Sequence, residues 1–332
     1  MKLAVVLFNL GGPDSLEAVE PFLTNLFSDP AVISLPAFLR LPLARLIAKK
    51  RGPIAREIYA KIGGRSPILP ETMAQAAALE RALGEHETRC FIAMRCWKPF
   101  TEEAARAIAA WSPDNIVLLP LYPQFSTTTT GSALDEWRRA ARVLGIAAPT
   151  TTICCYPRLA GFIEGLAGAT RDTLAQAKPG ISYRVLISAH GLPKRVIARG
   201  DPYQVQVEQT AAALVDQLGI TDWTICYQSR VGPLEWIGPS TDAEIRRAGA
   251  EGKGVVIVPV AFVSEHSETL VELDIEYAKL AREAGVPDYL RVPTVSVRGE
   301  FIAGLAGLVR ESLAGGVSPR VCPPSCSACG KV

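Results

Sequence analysis

Histidine is scarce in this chain: three among 332 residues, beside three methionines and 7% aromatics. Any imidazole chemistry must therefore use His86, His190 or His266. No uninterrupted apolar run approaches the roughly 20 residues that cross a bilayer, which excludes a membrane-spanning helix. Neither sign of charge is in excess: 35 basic against 33 acidic residues leave a net charge of +2. Phosphate backbones are bound by a clear basic surplus or stripe, so nucleic acid is not expected as a partner. A Gly-Lys-Ser/Thr phosphate loop, the full dinucleotide fingerprint and Gly-x-Ser-x-Gly are also missing, which removes the commonest nucleotide and hydrolase machinery. The opening Met1–Pro13 is too short an apolar run for a signal peptide and stops at Gly11-Gly12-Pro13 without a cleavage site. It reads as a buried strand entering a turn. Eight cysteines without a secretory signal then point to reduced thiols and a cytoplasmic protein.

What is present is alternation. Short β-rich apolar runs at Leu3–Phe8, Cys90–Met94, Ile116–Leu119, Thr151–Cys155, Arg184–Ser188, Trp223–Gln228, Val255–Val258 and Tyr289–Val292 are separated by helical patterns. Thr101–Trp111, Ala133–Leu144, Gln204–Leu218 and Glu265–Ala284 are the clearest of these. Strand–helix alternation predicts parallel βαβ units and doubly wound sheets. The chain also repeats itself: Val5–Pro13 matches Val185–Pro193, Ile116–Leu121 matches Val255–Val260, and Arg95 and Arg230 each follow a strand and precede a proline. We therefore expect an α/β protein of two Rossmann-like halves. The first covers residues 1–150 with an insertion at about 26–70, the second 151–314, and a cysteine-rich tail 315–332. Ligands of such folds sit at the carboxyl ends of strands, which predicts a ligand cleft between the halves. The insertion sets Leu35, Phe38, Leu39, Leu43, Leu46 and Ile47 among Arg40, Arg45, Lys49, Lys50 and Arg51. Such a segment lines an apolar pocket, rests on a membrane surface, or simply packs on the core.

His190 and His266 both follow strands of the second half, and Leu10 stands in the first half where His190 stands in the second. An ionisable group in only one copy of a repeat marks that copy for chemistry. Glu265, Glu268, Glu272 and Glu276 recur at spacings of three and four, which on a helix shares one face. An exposed acidic face is the ordinary explanation. Beginning beside His266 at a strand end, the row is equally a route for divalent metal or protons into a cleft. Three cysteines, Cys322, Cys326 and Cys329, crowd the tail, where zinc or an iron–sulfur cluster is the physical candidate. Cys90, Cys96, Cys154, Cys155 and Cys226 are the available fourth ligands.

Seven segments, in order, resemble ferrochelatases: Asn9–Pro13, Ile62–Ile68, Leu119–Ser126, Ser188–Pro193, Arg199–Tyr203, Tyr227–Pro239 and Glu265–Tyr277. The resemblance covers nearly the whole chain. It implies insertion of Fe²⁺ into protoporphyrin IX in a cleft between two Rossmann-like halves. It implies that His190 and Glu268 face each other across the macrocycle as the catalytic pair. The iron path would then follow His190, Glu268, Glu272 and Glu276, with Glu265 and His266 at its mouth. Tyr59, Ser66, Arg95 and Trp236 match positions that bind the porphyrin. Neutral His190 is the expected proton acceptor. The insertion corresponds to the family's lip, which implies a peripheral contact with the inner membrane for an otherwise cytoplasmic monomer or homodimer. The tail resembles members carrying a [2Fe–2S] cluster held by Cys322, Cys326 and Cys329. Thr127–Thr130 stand where many of these have their fourth cysteine, so Cys154 or Cys155 takes that role. Competing expectations are a chelatase for coproporphyrin III or sirohydrochlorin, and a porphyrin or haem carrier without turnover.

Overall fold

The strand Lys2–Asn9 (β1) is buried along Leu3–Phe8, on both faces alike. A strand with no polar side to show water belongs in the interior of a parallel sheet covered by helices on both faces. The same holds for Tyr183–His190 (β5), buried from Arg184 to Ala189. Around these two strands the chain builds two four-stranded parallel sheets. A computed structural model describes residues 1–229 and 234–315.

In the first sheet β1 lies between Glu87–Met94 (β2) and Asn115–Pro120 (β3), and Thr150–Thr152 (β4) extends β3, giving the order β2-β1-β3-β4. In the second, β5 lies between Trp223–Gln228 (β6) and Gly254–Pro259 (β7), followed by Tyr289–Arg291 (β8), in the order β6-β5-β7-β8. All eight predicted strands are present. The sheets agree in register as well as order. Phe8 lies opposite Pro120 and Ser188 opposite Pro259, so Leu10 and His190 stand at equivalent places at the carboxyl ends of their strands. Even the turns correspond: Met94 donates its N–H to Pro99 O (2.8 Å) and Tyr227 its N–H to Pro239 O (2.9 Å). Arg230, which entered the sequence repeat, lies outside the described residues.

By internal contacts the described residues form two units, Met1–Cys155 with residues 305–315, and Tyr156–Gly304. Each has its own core. In the first, Val6, Phe8, Ile108, Leu118, Leu134 and Trp137 interlock. In the second, Leu186, Ile245, Val255, Ile257 and Leu273 do. Each such buried side chain contributes about 1.5–3 kcal/mol of hydrophobic stabilisation before entropy is counted.

After β3 and again after β7 the backbone winds into a π-helix, five residues at Thr127–Gly131 and ten at Glu268–Tyr277. The sequence periodicity predicts ordinary helix over Glu265–Ala284, and here the structure differs. Only Ala278–Glu283 is α-helical, and Glu265 precedes the helix altogether. Bonds from i to i+5 add a residue to each turn and are usually confined to sites where function demands them. The lip helix, Ala37–Ala60, leaves Phe38 75% and Ile54 63% exposed. Among the described residues no helix is long and apolar enough to cross a membrane.

Candidate active site

In the second unit, β5 delivers His190 and the π-helix delivers Glu268. The imidazole Nδ1–H of His190 donates to Gly191 O at 2.6 Å, which leaves Nε2 as the exposed reactive nitrogen. Nε2 lies 3.5 Å from Glu268 Oε1, and the other carboxylate oxygen, Oε2, lies 3.5 Å from His266 Nε2. One carboxylate thus stands between two imidazoles. Burial disfavours charge on both partners, yet the attraction between them prevails. His190 is raised to about 9, against burial, by the Glu268 charge and the Gly191 carbonyl. Glu268 is held far below the usual carboxylate range, also against burial, by His190 and His266. Both directions favour an imidazolium–carboxylate pair. A neutral His190 at rest, as the sequence led us to expect, is not what this environment favours.

Glu272 has a different environment. It accepts from Gln228 Nε2 (3.0 Å), from the Ser229 N–H (2.9 Å) and from the Tyr277 hydroxyl (3.1 Å). Burial and the neighbouring Glu268 carboxylate push it above the usual range, against the donors from Ser229 and Tyr277. Ser229 adopts φ 63, the left-handed region that a side chain ordinarily avoids. That strain aims its amide at Glu272. Gln228 ties the assembly to β5, accepting from Ser188 Oγ at 2.8 Å while donating to Glu268 O at 3.2 Å.

Of the sequence row, Glu268 and Glu272 are brought together. Glu276 is exposed on the far part of the helix. Glu265 is bound to Arg291 Nη1 at 2.7 Å and to the Thr294 N–H at 2.9 Å. The wider π turn explains the separation, because spacing alone does not fix which residues share its face. Trp236 packs over Gly191, the residue after His190: a Cβ at Gly191 would meet its ring at 3.2 Å.

In the first unit, Arg95 and Ser66 approach the end of β1. Arg95 donates its backbone N–H to Asn9 O (2.9 Å), and its guanidinium is fixed by Asp29 Oδ2 (3.0 Å) and Ser132 Oγ (2.7 Å). Asp29 and Ser132 are buried partners that no sequence pattern revealed. Ser66 sits so close to Gly12 that an added Cβ there would lie 2.5 Å from its hydroxyl; only glycine fits. Tyr59 is buried in an apolar cluster with Val19, Phe22, Leu23 and Cys96.

Cys322, Cys326 and Cys329 lie outside the described residues. Cys154 is partly exposed and Cys155 buried, with their sulfurs 3.5 Å apart. Burial pushes the Cys96 and Cys226 thiols up to about 12 and Cys90 higher still. Among the described residues, no group of three or more His, Cys, Asp or Glu is gathered to hold a metal ion.

Comparison with known proteins identifies the family. A family model described as ferrochelatase matches residues 2–313. The ferrochelatase of Caulobacter vibrioides is 57% identical over 335 residues, covering 99% of this chain and 95% of its own. That of Phenylobacterium zucineum is 56% identical over 338 residues, covering 99% and 98%. Among solved structures, the sirohydrochlorin chelatase SirB of Bacillus subtilis subspecies spizizenii, in complex with cobalt, aligns with a TM-score of 0.55 at 12% identity, over 95% of this chain and 97% of its own. SirB from Bacillus subtilis with Fe³⁺ aligns at 0.53 and 13% identity, with the same coverage. At that identity the likeness is one of fold.

Proposed function

The chain belongs to the ferrochelatase family, lyase-class enzymes that insert metal into a porphyrin in haem synthesis, and from that premise we propose that Fe²⁺ enters protoporphyrin IX here through His190 and Glu268. The observation that carries this reading is the Glu268 carboxylate flanked at 3.5 Å by His190 and by His266. Metallation exchanges two pyrrole protons for one Fe²⁺, so the site must handle a dication and a proton acceptor together. Glu268 is ionised at rest and attracts the cation. As Fe²⁺ approaches, it competes for the carboxylate that holds His190 protonated, and the imidazolium releases its Nε2 proton to water, as it does again after taking up each of the two pyrrole protons in turn. Nε2 is then free to accept a pyrrole proton, while Nδ1–H remains anchored on Gly191 O. Glu272, raised by burial and by Glu268, is suited to carry protons onward. Glu276 extends the path toward solvent. Arg95, held by Asp29 and Ser132, offers its remaining donors to a propionate, and Trp236 offers a ring face to the macrocycle, with Ser66 and Tyr59 as further porphyrin contacts.

The assay is anaerobic incubation with Fe²⁺ and protoporphyrin IX, following loss of free-base absorbance and appearance of haem. Turnover that disappears in His190→Ala supports the reading. Tight porphyrin binding without turnover, in both proteins, overturns it.

Two further parts belong to the same reading. A [2Fe–2S] cluster fits the donor chemistry: three tail thiols, with Cys154 or Cys155 as the fourth ligand, since burial holds the Cys90, Cys96 and Cys226 thiols protonated. Bound there, the cluster would supply structure or regulation remote from metal insertion. The lip helix combines exposed Phe38, Leu39, Leu46 and Ile54 with Arg40, Arg45, Lys49, Lys50 and Arg51. That pairing supports a peripheral contact with an anionic membrane surface.

A further inference from the structure

The π-helix that carries Glu268 is gripped from β8. Arg291 closes a bidentate pair on Asp274, Nε to Oδ1 at 2.7 Å and Nη2 to Oδ2 at 2.6 Å, and its Nη1 takes Glu265 at 2.7 Å. Two positions earlier on the same strand, the Tyr289 hydroxyl donates to Leu273 O at 2.8 Å. Residues i and i+2 share a strand face, so both grips come from one side of β8. Glu265 lies just before the helix and Asp274 well inside it. One guanidinium therefore fixes both ends of the stretch containing Glu268 and Glu272.

The first unit offers an internal comparison. Ile257 lies opposite Arg291 and Leu118 opposite Thr152, at equivalent places in the two sheets. Where the second unit has Arg291, the first has Thr152, and there the π-helix is five residues long and carries no carboxylate. The clamp accompanies the acidic π-helix. Stability alone is a poor reason for it, because a largely buried ion triad is often no more stabilising than apolar residues of the same volume. What such a triad can supply is a fixed geometry.

We propose that Arg291 is a positioning residue for metal insertion: by clamping Glu265 and Asp274 it sets the π-helix so that the Glu268 carboxylate stands between His190 and His266. This rests on the reading of Glu268 as a metal-handling group. Its test is a set of steady-state assays on Arg291→Met, Arg291→Lys and Asp274→Asn. Fe²⁺ is varied at saturating protoporphyrin IX and then the reverse, with Zn²⁺ as a second metal. The expected result is a fall in kcat/KM for metal of roughly 10- to 100-fold in Arg291→Met, as misplacing a reacting group by a fraction of an ångström costs. The porphyrin KM should stay within about two-fold, because porphyrin binding does not use the clamp. Arg291→Lys should recover part of the loss, since charge survives without the bidentate fork. Should Arg291→Met fail to fold, Asp274→Asn carries the same split between the two substrates. Unchanged metal kinetics, or an equal loss for both substrates, overturns the clamp. Glu268→Gln runs alongside: its full turnover would overturn the assignment of Glu268, whereas its inactivity beside normal metal kinetics in Arg291→Met sinks the clamp alone.

Discussion

Ser229 gives Glu272 two hydrogen bonds from a single residue, its backbone N–H at 2.9 Å and its hydroxyl at 2.5 Å, and it does so from a left-handed backbone at φ 63. Two substitutions separate the side chain from the strain. Both Ser229→Ala and Ser229→Gly lose the hydroxyl bond to a charged group, a loss of about 1.5–3 kcal/mol. Glycine alone also escapes the left-handed cost of about 1 kcal/mol. We expect the glycine variant to be the more stable of the two by that amount in urea unfolding. An alanine variant as stable as the glycine one would show that the backbone at 229 is unstrained.

His190 holds its proton because of Glu268. In Glu268→Gln the burial of the imidazole is left unopposed, so its pKa should fall from about 9 to the ordinary 6.5 or below. The stability linked to the pair has a definite sign. With the folded pKa raised, it is fully present below about 6.5 and disappears as pH rises through about 9. Histidine titration by NMR, with unfolding at pH 6 and 9.5, reads both effects. An unshifted imidazole in the variant would contradict the coupling.

Catalysis should respond more steeply than stability. His190→Ala removes a proton acceptor worth roughly 10²–10⁴-fold in rate. Its fold should survive, with a melting temperature lowered by loss of the pair with Glu268. Haem formation under anaerobic conditions is the measurement, and a variant retaining full turnover would remove His190 from the mechanism.

Far from the site, Arg184 sits buried at the start of β5 and bonds Asp222 at 2.7 Å and Glu251 at 2.8 Å. Despite burial, the Asp222 carboxyl is lowered by Lys253 and Arg184. Its contribution is therefore present above about pH 4 and is lost as pH falls through the depressed value. Arg184→Met should cost about 2 kcal/mol at pH 7 and much less at pH 2.5. Equal losses at the two pH values would show that packing, rather than charge, explains the arginine.

The tail and its partner can be tested without activity. One of Cys154→Ser and Cys155→Ser should purify without the visible absorption of a [2Fe–2S] cluster, while the other should keep it. Iron and sulfide content checks both. Absorption kept in both variants would remove this pair from the cluster.

The sheets were legible because buried parallel strands leave continuous apolar runs, and a duplicated order of runs shows itself twice. His190 and Glu268 were legible as an arrangement only through resemblance, since nothing in local spacing brings positions 190 and 268 to 3.5 Å. The π-helix was not legible at all. Apolar and acidic residues at spacings of three, four and five are compatible with either winding, and tertiary contacts decide between them. Those contacts come from afar: Arg291 is 17 positions from Asp274 and 26 from Glu265, and Gln228 is 44 from Glu272. Asp29 and Ser132, 103 positions apart, likewise find Arg95 only once the sheet has formed.

Arg310 lies near the end of the last helix, yet it bonds Glu85 at 2.7 Å and Ala82 O at 2.7 Å, 225 and 228 positions back. From Leu305 onward that helix belongs to the unit begun by Met1. During synthesis the first unit is therefore left incomplete until the second has been made. A nascent chain holding only the first 155 residues lacks the piece that closes its own unit. Its closing piece is supplied by residues 305–313, made only after the second unit.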